Sequence, residues 1–211
     1  MFDSEKTKEQ ILEAAIELFA KEGFAGAHVA EIADRAGVNV ALIYRYFGSK
    51  EQLLEAVIES FIQADQAQRD KVFAKDPLPT SPEQLHNLAR WGLEHLSQRR
   101  ALLKIILFES LRDEGHKELL FQSFDAAVLS RVPAALTERR DDEALELLMA
   151  PFFFGAAPML MAAVFGEQWA VHYGVEPERV RERFLDLFEE LYVRHMVDRL
   201  SRVRKEMEKE T

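Results

Sequence analysis

The side chains of this chain that are best suited to bind another molecule lie in a short stretch without acidic residues. From Arg35 to Lys50 there is no Asp or Glu, whereas residues 1–60 as a whole contain 6 Lys and Arg against 11 Asp and Glu. Within that stretch, the Arg45 guanidinium has the donors that pair with guanine, and the Asn39 amide has the donor and acceptor that pair with adenine. The stretch therefore has the chemistry of a small DNA-binding surface.

Residues 29–47 predict the two elements that would position these side chains, a pair of short helices joined by a tight turn. Glycine takes a left-handed backbone conformation at the lowest cost because it has no Cβ, so Gly37 is expected to end the first helix. Asn39 is then the N-cap of a second helix over residues 40–47. The apolar residues that would bury one face of the first helix are Val29, Ile32, Ala33 and Ala36.

The second helix would turn one face to the core and the other outward. Ile43 and Phe47 lie four residues apart and are expected to face the core. The opposite face would meet DNA, with Arg45 available for guanine and the apolar residues for thymine methyl groups. The same spacing also fits a structural helical hairpin, and the helix pair alone does not separate the two. The outward residues are Val40, Ala41, Tyr44 and Arg45.

The residues on both sides of the helix pair carry helix-start signals. Ser49–Gln52 is a capping box for a further helix, whose free N–H groups, with Lys50 beside them, would bind a phosphate. Thr7–Gln10 is another capping box, predicted to open a helix that ends at Gly23. A helix-turn-helix DNA-binding domain of three helices is therefore expected over residues 1–48. The first helix would bury Ile11, Ala15, Leu18 and Phe19.

The segment from Ile11 to Leu54 resembles the DNA-binding domain of the TetR family of bacterial transcriptional regulators. The resemblance covers about a fifth of the chain, and the remainder resembles the family only in its helical layout. It implies that Tyr44 and Tyr46 bind phosphates on either side of the major groove and that Lys50 anchors the start of the fourth helix. The matching motifs, in the family's order and spacing, are Ala14-Ala15, Leu18-Phe19, Gly23-Phe24, Ile32-Ala33, Ala36-Gly37-Val38, Ile43-Tyr44, Tyr46-Phe47 and Ser49-Lys50.

Two places depart from the family pattern. Ala27 and His28 stand where members usually carry hydroxyl residues, and His28 could supply the phosphate contact in their place. Asn39 replaces the more common serine or threonine; it keeps the helix cap and adds an amide that can pair with adenine. The residues expected to bind DNA are His28, Asn39, Val40, Ala41, Tyr44, Arg45, Tyr46 and Lys50.

The composition restricts the class of protein. With 211 residues, of which 48% are hydrophobic, the chain can form a substantial core, and its net charge of −10 opposes a general nucleic-acid-coating role. Without cysteine it has no disulfides or thiolate zinc sites, and its N-terminus does not resemble a signal peptide, so we expect a cytoplasmic protein. Phosphate-loop, zinc-protease and serine-nucleophile motifs are absent from the sequence, and we expect neither an enzyme nor a bound cofactor or metal.

The expected fold class is all-α, with about nine helices and a helical ligand-binding and dimerisation domain over residues 49–211. A long fourth helix is predicted over residues 50–73, until the two prolines of Asp76–Thr80 end it. Ser81 then caps the next helix, with Pro82 in its first turn. Later helices are predicted over residues 100–113, 116–131, 142–166 and 177–205.

The predicted ligand-binding and dimerisation domain, called the body below, is rich in aromatic residues. Eleven of the fifteen phenylalanines and both tryptophans follow residue 60, which suggests a cavity for an apolar small-molecule effector. Each of these residues also fits an ordinary core position, and His95 also fits a core histidine. The ligand-binding candidates are Phe61, Trp91, His95, Phe108, Phe121, Phe124, Phe152 and Met159.

Leu147 to Phe165 is a run of nineteen uncharged residues, which is long enough to span a membrane. We reject a membrane span because Pro151 and Pro158 interrupt the run, acidic residues flank it and no basic residues mark a cytoplasmic side. The prolines should instead kink a helix of the body. Small residues in the run, Gly155 among them, would let another helix approach closely.

The last predicted helix carries a wide apolar stripe, which suggests burial on two sides. The resemblance implies that the last two helices pair with those of a second copy in a four-helix dimer interface; packing within one chain is the alternative. A two-fold dimer would bind an inverted-repeat operator with half-sites about 34 Å apart, or a multiple of it. The residues expected at the interface are Gly155, Ala162, Phe184, Phe188, Leu191 and Tyr192.

Together these expectations describe a homodimeric repressor that binds double-stranded DNA until a small apolar molecule releases it. An enzyme is one alternative, which the absence of catalytic motifs opposes. The other alternative is a helical protein of the same fold that binds a ligand or partner without a DNA role. The departures at Ala27 and His28 permit that alternative, whereas the acid-free stretch with Tyr44, Tyr46 and Lys50 argues against it.

Overall fold

The computed structural model describes residues 4–73, 81–112, 118–128 and 141–207 of the chain. Every regular element in these ranges is a helix, as predicted. The first seven helices are α1 (Ser4–Gly26), α2 (Val29–Ala36), α3 (Val40–Phe47), α4 (Lys50–Phe73), α5 (Pro82–Gln98), α6 (Arg100–Arg112) and α7 (Leu119–Ala127). α8 comprises Asp142–Ala150, a π-helical turn at Pro151–Ala156 and Ala157–Tyr173, and α9 comprises Pro177–Phe188, a π-helical turn at Glu189–Val193 and Arg194–Met207.

The chain forms two compact units. One consists of Met1–Asp70 with Ala101–Ala127, and the other of Lys71–Arg100 with Val128–Thr211. The first unit therefore contains the three predicted DNA-binding helices together with most of α4, α6 and α7. This grouping by contacts differs from the functional boundary at residue 48, which stays a prediction.

α1 begins earlier than the sequence analysis predicts. It starts at Ser4, and Thr7 lies inside it with a buried side chain, so the predicted N-cap at Thr7 is wrong. The residues before Thr7 form helix readily, and the Lys8 ammonium pairs with the Glu5 carboxylate at 3.1 Å on that first turn. The predicted break is confirmed, because Gly23 leaves the helical conformation at φ 72° and ψ 164°, but a short helical segment continues beyond this kink to Gly26. The predicted buried face is also confirmed, with Ile11, Ala15, Leu18 and Phe19 all in the core.

The helix limits in the second half of the chain largely follow the local start and stop signals. The Ser81 hydroxyl accepts a hydrogen bond from the Gln84 N–H at 3.1 Å, and the Gln84 side chain accepts one from the Ser81 N–H at 3.2 Å, so α5 begins as predicted. α8 extends past the predicted end at residue 166 and stops only at Gly174, whose φ of 64° is left-handed. The predicted loop at 76–80 and the ends of the predicted 116–131 helix lie outside the described residues.

Within the second unit, α5 and α9 both pack against α8. The Ala157–Tyr173 segment of α8 contacts α5 on one side and the Pro177–Phe188 segment of α9 on another. α5 also meets the π-helical turn of α9, where His86 Nδ1 and Glu189 Oε2 are 2.5 Å apart. These contacts bury a core that includes Leu93, Met159 and Val193.

The two π-helical turns approach each other through Gly155 and Tyr192. A Cβ on Gly155 would lie 2.8 Å from the Tyr192 hydroxyl oxygen and 3.0–3.2 Å from two of its ring carbons. The burial of Tyr192 raises the pKa of its hydroxyl above the usual value. Gly155 therefore lets another helix approach closely, as predicted, and that helix is α9 of the same chain.

α8 is apolar on more faces than its own chain covers. Among the described residues, its Ala144–Tyr173 stretch is long and apolar enough to cross a membrane, with a mean hydropathy of 2.0, and only 22% of its most apolar window is buried within the chain. One helix of this length and composition is weak evidence of a membrane span, because a helix that packs against other protein helices can have the same properties. The chain therefore leaves an apolar surface of α8 exposed.

Replacing Gly155 by alanine tests the contact between the two π-helical turns. We expect Gly155→Ala to destabilise the protein by about 1–3 kcal/mol, because the new methyl group meets a buried ring. Tyr192→Phe removes the nearest atom and should recover part of that loss in the double variant. Gly166→Ala, also in α8, is the matched control, because a Cβ at Gly166 would meet no atom within 4 Å. Urea unfolding followed by circular dichroism measures these effects, and equal stabilities of the two alanine variants would contradict the contact.

Candidate DNA-binding surface

The turn between α2 and α3 has the geometry that the sequence predicts. Gly37 is left-handed at φ 66° and ψ 32°. The Val38 N–H donates to the Ala33 carbonyl at 2.9 Å, and the Gly37 N–H donates to the Asp34 carbonyl at 3.1 Å, which is the Schellman arrangement at a helix end. This turn fixes the direction in which α3 leaves α2.

α3 is capped by Asn39 and held by one fully buried residue. The Asn39 side-chain oxygen accepts a hydrogen bond from the Ala41 N–H at 2.8 Å, as predicted for an N-cap. Ile43 is 1% exposed, whereas Phe47 is only half-buried. The opposite face is open, because Ala41, Tyr44 and Arg45 are exposed and Val40 is partly so. The cap occupies the amide oxygen that adenine pairing would also use, so capping is the role of Asn39 that the geometry supports.

Tyr46 lies beside three residues that can position its hydroxyl and ring. Hydrogen bonds from Ser4 and then Arg45 lower the pKa of the Tyr46 hydroxyl below its usual value. The Arg45 guanidinium lies 5.2 Å from the Tyr46 ring centroid and the Lys8 ammonium lies 5.9 Å from it. Ser4 was not predicted here because the predicted first helix began only after Thr7, and Lys8 was not predicted because no local pattern relates it to Tyr46.

The connection between α3 and α4 differs from its prediction in one hydrogen bond. The forward half of the capping box is present, since the Gln52 N–H donates to the Ser49 hydroxyl at 3.1 Å. The Ser49 N–H, however, donates to the Phe47 carbonyl at 3.0 Å instead of to the Gln52 side chain. Gly48 has φ 79° and ψ −61°, a conformation that turns the backbone back toward α3. The side-chain amide of Gln52 occupies the space that a Cβ on residue 48 would need.

Lys50 is the first residue of α4, and its ammonium lies over an aromatic ring. The distance from Lys50 Nζ to the Phe24 ring centroid is 4.6 Å, and Phe24 itself is buried behind Gly23. Lys50 is half-exposed, so its charge is accessible at the start of the helix, where free N–H groups favour a phosphate. This placement agrees with the predicted phosphate-binding position.

Of the two residues that depart from the family pattern, Ala27 and His28, His28 is the exposed one. It precedes α2 as its N-cap residue, and its backbone N–H donates to the Glu31 carboxylate at 3.4 Å. Ala27 is fully buried, so a longer side chain would not fit there without rearrangement. The phosphate contact expected from His28 stays a prediction.

The expected ligand-binding residues divide between the two units, four in each. In the second unit the Trp91 and His95 rings stack with their centroids 4.6 Å apart. The terminal methyl group of Met159 lies 3.5 Å from the position that a Cβ on Gly92 would take. The Nε2 atom of the buried His95 accepts a hydrogen bond from the Arg99 guanidinium, 2.5 Å away. Phe152 is half-buried. In the first unit Phe61 and Phe124 are buried, whereas Phe108 and Phe121 are more than half exposed.

Half of the residues expected at a dimer interface lie against their own chain. Gly155 and Tyr192 contact each other, and the Phe188 ring packs against the Tyr192 ring at an angle of 45°, with centroids 5.0 Å apart. Ala162 and Phe184 are half-buried, and Leu191 is 75% exposed. Exposed apolar residues on α8 and α9 outside this prediction include Phe153, Phe154, Met161, Phe165, Trp169 and Leu187. Because α8 is apolar on all sides, its sequence does not tell the inner face from the outer one.

Comparisons with known proteins agree with this arrangement. A family model described as bacterial regulatory proteins of the tetR family matches residues 11–57. The transcriptional repressor NicS of Pseudomonas putida is 44% identical over 29% of this chain and 31% of its own length. The repressor SCO4008 of Streptomyces coelicolor is 28% identical over 66% of this chain and 67% of its own length.

The likeness extends over most of the fold in solved structures. The regulator FadR of Bacillus subtilis, solved with stearoyl-CoA, superposes with a TM-score of 0.62 and 20% identity, over 85% of this chain and 96% of that one. The family-model match lies within α1 to α4, while the structural match includes the body. Residues 11–57 therefore belong to the tetR family of bacterial regulatory proteins, and the chain shares the fold of the solved FadR regulator.

Proposed function

We propose that this regulator is a homodimeric repressor that binds an inverted-repeat operator and releases it when a small apolar molecule binds the body. The observation that carries the proposal is the exposed face of α3, which Asn39 caps and buried Ile43 orients, in a stretch without acidic residues. A face of this kind fits the major groove. NicS and SCO4008 are both named repressors, which supports repression as the direction of regulation.

On this face we assign base contacts to α3 and phosphate contacts to its surroundings. Arg45 would bind guanine, and Val40 and Ala41 would contact thymine methyl groups, so we expect both G·C and T·A determinants in each half-site. The remaining residues would bind phosphates and set affinity without setting sequence. These are His28, Tyr44, Tyr46 and Lys50.

The experiment that tests the DNA role is selection of duplexes from a random pool, followed by titration of variants on the selected site. Arg45→Ala should cost about 1–3 kcal/mol at one base pair and relax specificity there. Lys50→Ala should weaken all sequences alike and reduce the salt slope by about one. Lys21→Ala is the matched control, because this exposed lysine on α1 pairs with Glu22 and lies outside the assigned face.

Two results would contradict this assignment. Identical effects of Arg45→Ala on every operator variant would remove its base-reading role. If the folded protein selected no duplex at all, the alternative of a helical ligand- or partner-binding protein without a DNA role would replace the repressor.

We infer that a second copy covers the outer face of α8 and α9. Phe154, Phe165 and Trp169 on α8, together with Leu191 on α9, expose apolar surface that a soluble chain rarely leaves open. A two-fold pairing of these helices would bury that surface and place two α3 helices on one duplex. Within such an interface Leu191 and the half-buried Ala162 and Phe184 would face the partner, while Gly155, Phe188 and Tyr192 would support it from behind.

Replacing Leu191 by glutamate tests this interface. A charge in the apolar centre of the pairing should shift the protein to monomer and weaken operator binding at least tenfold, because each monomer has only one recognition helix. The control is Leu111→Glu, an equally exposed leucine on α6 at 76% exposure. Sedimentation equilibrium gives the molar mass. A Leu191→Glu protein that stays dimeric, or a wild-type monomer, would contradict the proposal.

The proposed effector site is in the second unit, where α5 packs on α8. Trp91 stacks on His95 in α5, and Met159 of α8 lies against Gly92 of the same helix, so apolar groups and one oriented polar group of the kind that suits an apolar molecule lie on this part of α5. The stearoyl-CoA bound to FadR, which shares this fold, favours the same chemical class. Such a ligand releases DNA only if it binds the DNA-incompetent conformation more tightly than the competent one.

A screen of fatty-acyl and aromatic compounds against the operator complex tests the effector. We expect at least one compound to lower operator affinity tenfold or more, measured by fluorescence anisotropy of labelled duplex. Trp91→Leu should reduce this response while leaving the affinity of unliganded protein for the operator unchanged. An active compound whose effect is the same on wild type and Trp91→Leu would place the effector elsewhere.

A further inference from the structure

The first unit contains a buried carboxylate far in sequence from the DNA-binding face. Glu109 on α6 is 2% exposed, and its Oε1 accepts a hydrogen bond from the Phe24 backbone N–H at 3.1 Å. The two residues are 85 positions apart in the chain. Breaking this buried hydrogen bond would leave the Phe24 N–H without its acceptor, so the contact joins α6 to the residue that follows Gly23.

Phe24 has a second contact, on the side of the DNA-binding face. It follows Gly23, where the backbone leaves the helix, and its ring packs on Phe19 with centroids 5.5 Å apart. The Lys50 ammonium lies 4.6 Å from the centre of the same ring. The Phe24 ring is therefore a platform under Lys50, and the backbone of that platform is held by Glu109.

We propose that Glu109 is a positioning residue for DNA binding, which holds the Phe24 platform and thereby keeps the Lys50 ammonium where a phosphate is bound. This inference rests on the proposed DNA role of Lys50. A lysine side chain has many rotamers, and a platform that restricts them lowers the entropy lost when the ammonium binds a phosphate.

The same contact connects the DNA-binding face to α6. A displacement of α6 would therefore reach Lys50 through Glu109 and Phe24. Because a phosphate contact does not depend on base sequence, such a displacement changes affinity for all operators alike. Glu109 thus couples the position of α6 to the affinity for DNA and leaves the sequence specificity unchanged.

The test compares Glu109→Ala with Glu109→Gln in the full-length protein, on the selected operator and over a range of salt concentrations. Glu109→Ala should weaken binding roughly threefold to tenfold and reduce the salt slope by about one, as Lys50→Ala does. Glu109→Gln keeps an oxygen acceptor for the Phe24 N–H and should keep the wild-type slope. The Glu109→Ala, Lys50→Ala double variant should bind no more weakly than Lys50→Ala alone.

A purely structural role for Glu109 predicts a different result. It would lower the folded fraction while the remaining folded protein kept the full salt slope, and its effect would add to that of Lys50→Ala; this outcome overturns the inference. If Glu109→Ala does not fold, Phe24→Leu removes the ring but keeps the backbone N–H, and a full salt slope in that variant overturns the inference as well. A wild-type protein that binds no duplex would instead contradict the proposed function itself.

Discussion

The burial of Ile43 is the constraint on which the DNA-binding face depends. α3 has only eight residues and cannot hold its own orientation, so the one side chain that is 1% exposed decides which side faces outward. Once Ile43 points inward, the helical period places Tyr44 and Arg45 on the surface. The left-handed turn at Gly37 and the cap at Asn39 then fix where α3 begins.

Local sequence signals predicted the parts of this structure in which a residue acts on its near neighbours. The caps at Asn39 and Ser81 and the helix end at Gly37 all involve hydrogen bonds within five residues, and each is present. The extent of α4 was predicted correctly for the same reason. The predicted cap at Thr7 was wrong because the same capping sequence can also lie inside a helix. Whether it does depends on whether the residues before Thr7 are helical, and here they are.

Contacts between distant segments could not be predicted in this way. The Gly155–Tyr192 approach and the Glu109–Phe24 hydrogen bond join residues that no local pattern relates. The apolar composition of α8 is compatible with contacts on several sides but does not say which side faces its own chain. Three of the six candidate interface residues therefore lie against their own chain, and exposed apolar residues such as Phe165 and Trp169 were not among the candidates.

The charge distribution explains why the phosphate-binding residues need support from the core. The chain carries a net charge of −10, so it gains no general attraction to DNA, and α3 contributes Arg45 as its single charge. Arg45 is itself held against Tyr46, and Lys50 against Phe24. With so few cations, affinity depends on how well each one is positioned before it meets a phosphate. On the proposed function, a small displacement of the residues beneath them would then be enough to change DNA affinity, as control by a ligand requires.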